Sequence, residues 1–210
     1  MVLINKKKQF IMKKLFLSFL FATISILGFS QTTWNVDPMH SSFNFNIKHM
    51  GISFVQGRFD KFEGKVVTTA DDLSNAKFDF TVNTTSVNTG VEMRDNHLKS
   101  ADFFDAEKFP TMKFESTSIK KLKGNTYQLT GKLTIKNVTK PVTVTAVYGG
   151  KNKDQQGNEK LGFQTTFKVN RLEYNISYDP TGAGVAKDVD VAVYVEFVKP
   201  KFRNRKKRVF

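Results

Sequence analysis

Three histidines, His40, His49 and His97, are the side chains of this sequence best suited to acid–base or metal chemistry. Metal-binding histidines on one helix are commonly spaced i,i+4, so that both face the ion. No two of these three have an i,i+2 or i,i+4 spacing, and no pattern of carboxylates accompanies them. The chain has no cysteine, which excludes disulfides and cysteine metal sites. We therefore predict separate hydrogen-bonded histidines and no metal site.

Catalytic motifs are not found either. Ser41 and Ser42 follow His40, but the sequence contains no Gly-x-Ser-x-Gly turn of the kind that exposes a nucleophilic serine. The stretch NKDQQGNE, residues 152–159, resembles the start of a calcium loop, yet Phe163 occupies the twelfth position, where a bidentate Glu is needed. We interpret this stretch as a hairpin turn. The sequence predicts a protein that is not an enzyme and has no cofactor.

The segment RDNHLKSADFFDAEKFP, residues 94–110, interrupts a chain that otherwise has the pattern of β-strands. Thr89 and Glu92 fit a capping box, in which a hydroxyl and a carboxylate three residues apart satisfy exposed backbone amides. We expect one short helix that ends near Ser100, then a second turn, and a new strand after Pro110. The apolar side chains that this segment offers to a core are Val91, Leu98, Phe103 and Phe104.

Alternation of apolar and polar residues dominates the chain from Thr32 onward, which is the period of a half-buried strand. SFNFNIK places Phe43, Phe45 and Ile47 on one face. Eight to ten such strands, separated by turns and without long helices, are typical of an all-β sandwich or barrel. The same alternation recurs in KFDFTVN (77–83), TMKFEST (111–117), TYQLTGKLTIKN (126–137), LGFQTTFKV (161–169) and VDVAVYVEF (189–197).

Phenylalanine is unusually frequent: 16 of the 21 phenylalanines follow residue 30, many of them at alternating strand positions. These side chains would fill the core of a solidly packed sandwich. They would equally line an apolar pocket, because a barrel of about eight strands is just wide enough to be filled by side chains or to hold one small ligand. Composition does not decide between these two interiors.

Residues 1–30 have the pattern of a secretory signal, with translation starting at Met1 or Met12. Lysines precede an apolar stretch from Leu15 to Phe29, and small residues precede a cleavage point after Ser30. A retained membrane anchor fits less well, because a spanning helix needs about 20 apolar residues. We therefore expect the mature domain, residues 31–198, to be periplasmic or secreted.

The net charge of +14 is concentrated at the two ends of the chain. Residues 1–30 hold five lysines and residues 199–210 hold seven basic residues, both without an acid, so the body between them carries only +2. A nearly neutral body argues against nucleic acid as a partner. We expect residues 199–210 to be a disordered tail, which could also touch an anionic membrane surface.

The chain resembles the YceI-like family of exported, lipocalin-like proteins that bind polyisoprenoids. The most specific part of the resemblance is the block RDNHLKSADFFD with Pro110 five residues after its last Asp. One departure concerns Asn175, which stands where the family tends to have glycine, although Arg171 and Tyr174 match. The stretches that carry the resemblance are residues 34–66, 87–117, 131–144 and 188–197.

The resemblance implies an extended antiparallel β-barrel of about eight strands with one short helical segment near one end. A polyisoprenoid or quinone-like lipid would lie in the lumen, with any polar head near the mouth. Arg94 and His97 would fix the helical segment, and they are also our candidates for contact with a ligand head group. As wall residues of the lumen we predict Phe43, Phe45, Phe80, Phe114 and Phe167.

Three hypotheses for function follow from these patterns. The first is binding or transport of a long apolar lipid outside the cytoplasm. The second is a non-catalytic stress-response or partner-binding protein with a packed barrel, which could form a homodimer. The third is an enzyme that acts on a bound lipid through His40 or His97, although the sequence contains no recognised catalytic motif around either histidine.

Overall fold

The computed structural model describes residues 31–69 and 73–200. The predicted signal segment, residues 1–30, and residues 201–210 of the predicted tail lie outside the described residues. Three short 3₁₀ turns, Pro38–His40, Thr84–Ser86 and Arg171–Tyr174, and one helix, α1 (Glu92–Lys99), accompany the strands. The strands are β1 (Thr32–Val36), β2 (Ser42–His49), β3 (Ser53–Phe59), β4 (Phe62–Thr68), β5 (Lys77–Asn83), β6 (Val87–Asn88), β7 (Thr111–Lys121), β8 (Thr126–Ile135), β9 (Val138–Lys153), β10 (Glu159–Asn170) and β11 (Val185–Val198).

The strands form a closed antiparallel barrel. β1 and β2 follow one course of the barrel, which is broken by a short turn. The same holds for β3 and β4, and for β5 and β6. The pairing shows this, because β1 pairs with β4 while β2 pairs with β3, and β3 also pairs with β6. These three courses and β7 to β11 make eight barrel strands in chain order. β11 closes the barrel by pairing with both β1 and β2. The predicted fold class is confirmed.

Cross-strand register decides which face of each strand points into the barrel. Phe45 of β2 lies opposite Gly57 of β3 on one side and opposite Val191 of β11 on the other. Since side chains alternate across a strand, Phe43 and Ile47 share the inner face with Phe45. The apolar face predicted from the alternation is therefore the lumen face.

One end of the barrel is packed solid, and we call it the packed end. Trp34, Phe78 and Phe197 are buried there in one hydrophobic cluster with Phe163. The Phe163 ring centroid lies 5.1 Å from that of Phe78 and 6.1 Å from that of Phe197, both at edge-on angles. Edge-to-face packing at these distances is favourable for aromatic rings. This half of the molecule matches the packed-core interpretation of the phenylalanine content.

Helix α1 begins differently from the sequence expectation. The capping box is wrong: Val91 is the N-cap residue and makes no side-chain cap. The Asp95 carboxylate instead accepts hydrogen bonds from the Thr89 backbone N–H at 2.8 Å and hydroxyl at 2.5 Å. The predicted end at Ser100 is confirmed. Within the described residues, no helix has the length and apolar character needed to cross a membrane.

Candidate ligand-binding cavity

A cavity of about 670 Å³ occupies the half of the barrel opposite the packed end. Helix α1, the β2–β3 hairpin and the loop after Tyr174 lie at this end, which we call the helical end. The wall of the cavity consists mainly of aromatic and aliphatic side chains from every course of the barrel. Exposed lining residues, among them Phe54, His97 and Tyr178, mark where the cavity reaches the surface. The barrel is thus packed in one half and hollow in the other.

All seven residues predicted for the site lie on the wall of this cavity. Whether they bind a ligand stays a prediction. Phe80 stands at the border with the packed end, because its ring is 5.8 Å from that of Phe197. Arg94 and His97 contribute polar groups at the helical end. The aromatic members of the set are Phe43, Phe45, Phe80, Phe114 and Phe167.

Three of these rings lie against glycines of a neighbouring strand. A Cβ atom built on Gly131 would be 2.5 Å from the Phe114 ring, far inside van der Waals contact. Glycine therefore lets each ring lie against the barrel wall, where a larger residue would push it into the lumen. The hollow depends on these pairs as much as on the aromatic residues themselves. The ring–glycine pairs are Phe45 with Gly57, Phe80 with Gly64, and Phe114 with Gly131.

Helix α1 is fixed over the cavity by polar contacts to its own flanks. Arg94 donates from Nε to the Thr89 hydroxyl at 2.8 Å and from Nη2 to the Thr89 carbonyl at 3.0 Å. His97 Nε2 lies 3.0 Å from the Asp102 carboxylate. The His97 ring also packs edge-on against Phe103 and Tyr178, at 5.0 and 5.1 Å between centroids. These contacts give Arg94 and His97 the positioning role expected from the sequence.

Phe103 and Phe104 anchor the turn after α1 as predicted. Phe103 is buried in a cluster with Tyr174 and Ile176, while Phe104 packs edge-on against Phe59 at 5.6 Å. Leu98 is half-buried and lines the cavity, but Val91 is exposed, so the two do not share a buried face. The segment is a lid on the helical end whose inner side belongs to the cavity wall.

Arg171 organises the loop beside this lid. It is 3% exposed and all its described hydrogen bonds run to backbone carbonyls, with no carboxylate among them. Burial lowers the pKa of the guanidinium from its usual value, although an arginine stays protonated at neutral pH. One side chain thereby holds the chain between the Arg171–Tyr174 turn and β11. The carbonyls belong to Ile176, Tyr178, Asp179, Val185 and Ala186.

Asp179 completes the same loop. Its carboxylate accepts hydrogen bonds from the Thr181 hydroxyl at 2.6 Å and from the Gly184 and Val185 amides at 2.7 and 2.8 Å. These donors, the hydroxyl first, hold the pKa of Asp179 well below its usual range. Asn175, which replaces the expected glycine, has φ +58°, a left-handed conformation that asparagine tolerates better than most residues. The local turn is therefore kept despite the substitution.

Near the packed end, the structure contains a polar cluster that the sequence reading missed. His40 Nδ1 lies 3.0 Å from the Asp37 carboxylate and 3.7 Å from that of Glu196. Lys160 donates to both carboxylates at 2.8 Å. Within the described residues, this is the one histidine–carboxylate group with metal-like geometry, and it includes neither His49 nor His97. The Lys160 ammonium already supplies the positive charge there, so we interpret the cluster as an ion pair.

Sequence reasoning also missed much of the cavity wall. Most of these residues stand at inner positions of strands that the alternation had identified, so the same signal could have found them. Tyr178 lies in a loop without periodicity, and no sequence signal pointed to it. The main wall residues not predicted are Phe59, Val82, Met112, Leu133, Ile135, Val169, Val191 and Tyr178.

The closed eight-stranded meander with an apolar cavity at one end defines a barrel of the small-ligand-binding class. The chain matches the YceI-like domain family over residues 34–197, and it belongs to that family. It is 37% identical over 194 residues to Protein YceI of Salmonella agona and to Protein YceI of Escherichia coli O157:H7. Each alignment covers 90% of this chain and 100% of the relative.

Solved structures share the same fold. A YCEI protein of Campylobacter jejuni is 33% identical, with a TM-score of 0.66 over 74% of this chain and 91% of that one. Burkholderia cenocepacia BcnA has a TM-score of 0.70 at 24% identity, over 77% and 98% of the two chains. A polyisoprenoid binding domain from Saccharophagus degradans has a TM-score of 0.64 at 13% identity, over 80% and 99%. The last two likenesses concern the fold alone.

Proposed function

We propose that this protein binds a long apolar lipid, of polyisoprenoid or isoprenoid-quinone type, in the cavity at the helical end of the barrel. The observation that carries the proposal is the cavity itself, about 670 Å³ walled mainly by aromatic and aliphatic side chains. That volume is within the range of roughly 300–1,000 Å³ typical of small-molecule sites. A barrel of the same fold is described as a polyisoprenoid binding domain, and our proposal extends that ligand class to this chain.

Apolar burial would supply most of the affinity, at about 25 cal/mol per Å² removed from water, less the cost of ordering a flexible chain. Binding should therefore depend little on salt. The polar groups at the helical end suit a ligand with a small polar head. Arg94 lies on the cavity wall with His97, beside the opening marked by Tyr178. A head group there would leave the isoprenoid chain directed toward Phe80 and Phe114.

The site of action belongs to the same proposal. The pattern of residues 1–30 supports export, followed by action in the periplasm or outside the cell. The basic residues from 201 onward could add a peripheral contact with anionic membrane, and Lys199, just before them, is held by Glu159 at 3.2 Å. Self-association into a homodimer stays a prediction that sedimentation can test.

We propose a binding role without catalysis. The described hydrogen-bond and ion-pair partners of the two imidazoles are carboxylates: Asp102 for His97, and Asp37 and Glu196 for His40. A histidine that activates a serine or threonine would contact the hydroxyl of that residue as well as a carboxylate. The rival idea of a solidly packed, purely partner-binding barrel does not account for the hollow half.

The first test is organic extraction and mass spectrometry of the protein purified after export from its own host. We expect a stoichiometric isoprenoid-type lipid. A protein that is empty, and that also takes up no added polyprenol or quinone, would refute the proposal.

A cavity-filling variant tests the location. Val55 lines the cavity opposite Ile47, so Val55→Trp should fill part of the lumen and lower lipid occupancy by about tenfold or more. Val67→Trp is the matched control, because Val67 alternates with the buried Val66 and therefore faces outward from β4. Equal lipid content in the two folded variants would place the ligand elsewhere.

A further inference from the structure

Exposed apolar side chains are concentrated at the helical end. Six of the nine large hydrophobic side chains that are exposed among the described residues lie there, around the place where the cavity reaches the surface. We call these six residues the apolar rim. Within the apolar rim, Ile52 and Met93 are the most exposed, at 85% and 84%. The apolar rim consists of Met50, Ile52, Phe54, Val91, Met93 and Tyr178.

The apolar rim is continuous with the cavity. Phe54 and Tyr178 belong to both, and Met93 precedes Arg94, which lines the cavity. The Met50 backbone N–H donates to the Gly184 carbonyl at 2.7 Å, which joins the β2–β3 hairpin to the loop held by Arg171. Three separate segments thus present apolar tips around one opening.

The shape of the apolar rim favours a fluid partner over a folded protein. A protein interface needs a complementary, closely packed surface, whereas these side chains project from a hairpin turn and from a helix on different sides of an opening. A bilayer fills the space around each projecting side chain, so apolar residues can be buried there without a matching shape.

Charge at this end is mixed, because the exposed acid Glu92 stands between Val91 and Met93. Asp95, Asp102 and Asp179 accept hydrogen bonds from neighbouring groups of the protein. Lys48 lies directly across from Phe54 and makes no ion pair with another described residue. A lysine behind an apolar tip can extend its ammonium group to the lipid head groups while the tip is buried.

We propose that the apolar rim docks on the surface of a lipid bilayer, with the cavity opening toward the membrane, so that a lipid passes between bilayer and barrel without crossing water. This inference rests on the proposed lipid-binding function and names the donor or acceptor of the ligand. It differs from a contact through the basic tail, because apolar insertion is its main source of affinity.

Vesicle co-sedimentation of the purified protein tests the docking surface. We expect binding to phosphatidylcholine vesicles that persists in 1 M NaCl, where the Debye length is about 3 Å and tail electrostatics are screened. The double variant Ile52→Asp/Met93→Asp should lower the partition coefficient by about tenfold or more, because both carboxylates would have to leave water. Neither residue lines the cavity, so lipid content after purification should be unchanged.

Met39→Asp is the matched control. Met39 is 89% exposed but stands in the β1–β2 connection, where the Asp37 backbone N–H donates to the Glu196 carbonyl, away from the helical end. The Met39→Asp variant should bind vesicles as strongly as the unmodified protein does. The rate at which a fluorescent polyprenol moves from vesicles into the protein should fall in the double variant alone.

Several results would overturn the inference. These are no vesicle binding in 1 M NaCl, equal binding by the double variant and the unmodified protein, or a dimer that the double variant converts to a monomer. A protein without lipid that still docks through Ile52 and Met93 would refute the proposed function and keep the docking surface. A protein that carries lipid but does not bind vesicles would refute the docking surface and keep the proposed function.

Discussion

At the scale of single residues, Arg171 shows how one side chain can replace a stretch of secondary structure. The loop that it holds has few ladder hydrogen bonds of its own, and the guanidinium supplies donors to five carbonyls in a fixed planar geometry. Because Tyr178 is among these residues, the arginine also sets one edge of the cavity opening. Its role in binding is therefore indirect.

Arg171→Lys should lower the free energy of unfolding by about 3 kcal/mol, because lysine has fewer donors and leaves buried carbonyls unsatisfied. Urea denaturation measures the loss. Arg58→Lys is a suitable control, since Arg58 pairs with Asp60 on the exposed surface and such pairs contribute about 1 kcal/mol or less. Losses of equal size at the two positions would contradict this role for Arg171.

At the scale of strands, the aromatic–glycine pairs connect register to the shape of the lumen. Phe114 of β7 lies across from Leu133 of β8, and its ring reaches over Gly131 two residues away. A one-residue shift in register would send the ring to the outer face. The pairing of β7 with β8 therefore determines part of the cavity as well as the stability of the sheet.

Gly131→Ala should destabilise the protein by about 1–3 kcal/mol and narrow the cavity, because the new Cβ would lie 2.5 Å from the Phe114 ring and 2.7 Å from the Glu115 carbonyl. Thermal unfolding and lipid content are the measurements. Gly162→Ala, whose Cβ would meet nothing closer than 4.0 Å, should change little. Recovery of lipid content in Gly131→Ala/Phe114→Leu would show that the ring was displaced, and a failure to recover would point to the backbone contact.

At the scale of the whole molecule, the barrel is closed where β11 meets β1. Val36 and Phe197 pair there, and the cluster of Asp37, Lys160 and Glu196 connects β1, β10 and β11 beside this seam. Hydrogen bonds from Lys160 and then from His40 lower the pKa of Asp37 to about 2. Hydrogen bonds to Asp37 and then to Glu196 raise the pKa of Lys160 above its usual value.

Stability from this cluster should depend on pH with a defined sign. A carboxyl group whose pKa falls on folding stabilises the protein above its usual pKa near 4, and that contribution is lost as the pH decreases toward 2. Asp37→Asn should therefore cost about 1 kcal/mol at pH 7, after allowance for solvent screening, and progressively less as the pH falls from 4 toward 2. Urea titrations from pH 2.5 to 7 measure the difference.

The control for this prediction is Asp79→Asn, which breaks an exposed pair with Lys65 at 3.6 Å and should cost less than about 0.5 kcal/mol. A pH-independent loss in Asp37→Asn would show that the cluster acts through hydrogen-bond geometry instead of charge.

The sequence by itself determined the strand content, the apolar faces and the helical interruption. Phe43, Phe45 and Ile47 form a period-two pattern that indicates a strand with one apolar face, since side chains alternate across a strand. The block around Arg94 and His97 identified the family, and all seven predicted site residues came to lie on one cavity wall. These features are local in the chain, so they can be read from neighbouring residues.

Only the tertiary structure decided which half of the barrel is hollow, because that depends on contacts between residues far apart in sequence. Phe78 and Phe80 belong to one alternating run, yet Phe78 packs against Phe163 while Phe80 borders the cavity. The convergence of loop carbonyls on Arg171 and the meeting of Asp37 with Lys160 likewise arise from closure. The sequence shows whether a residue is apolar or charged, but closure of the barrel decides which other residues it contacts.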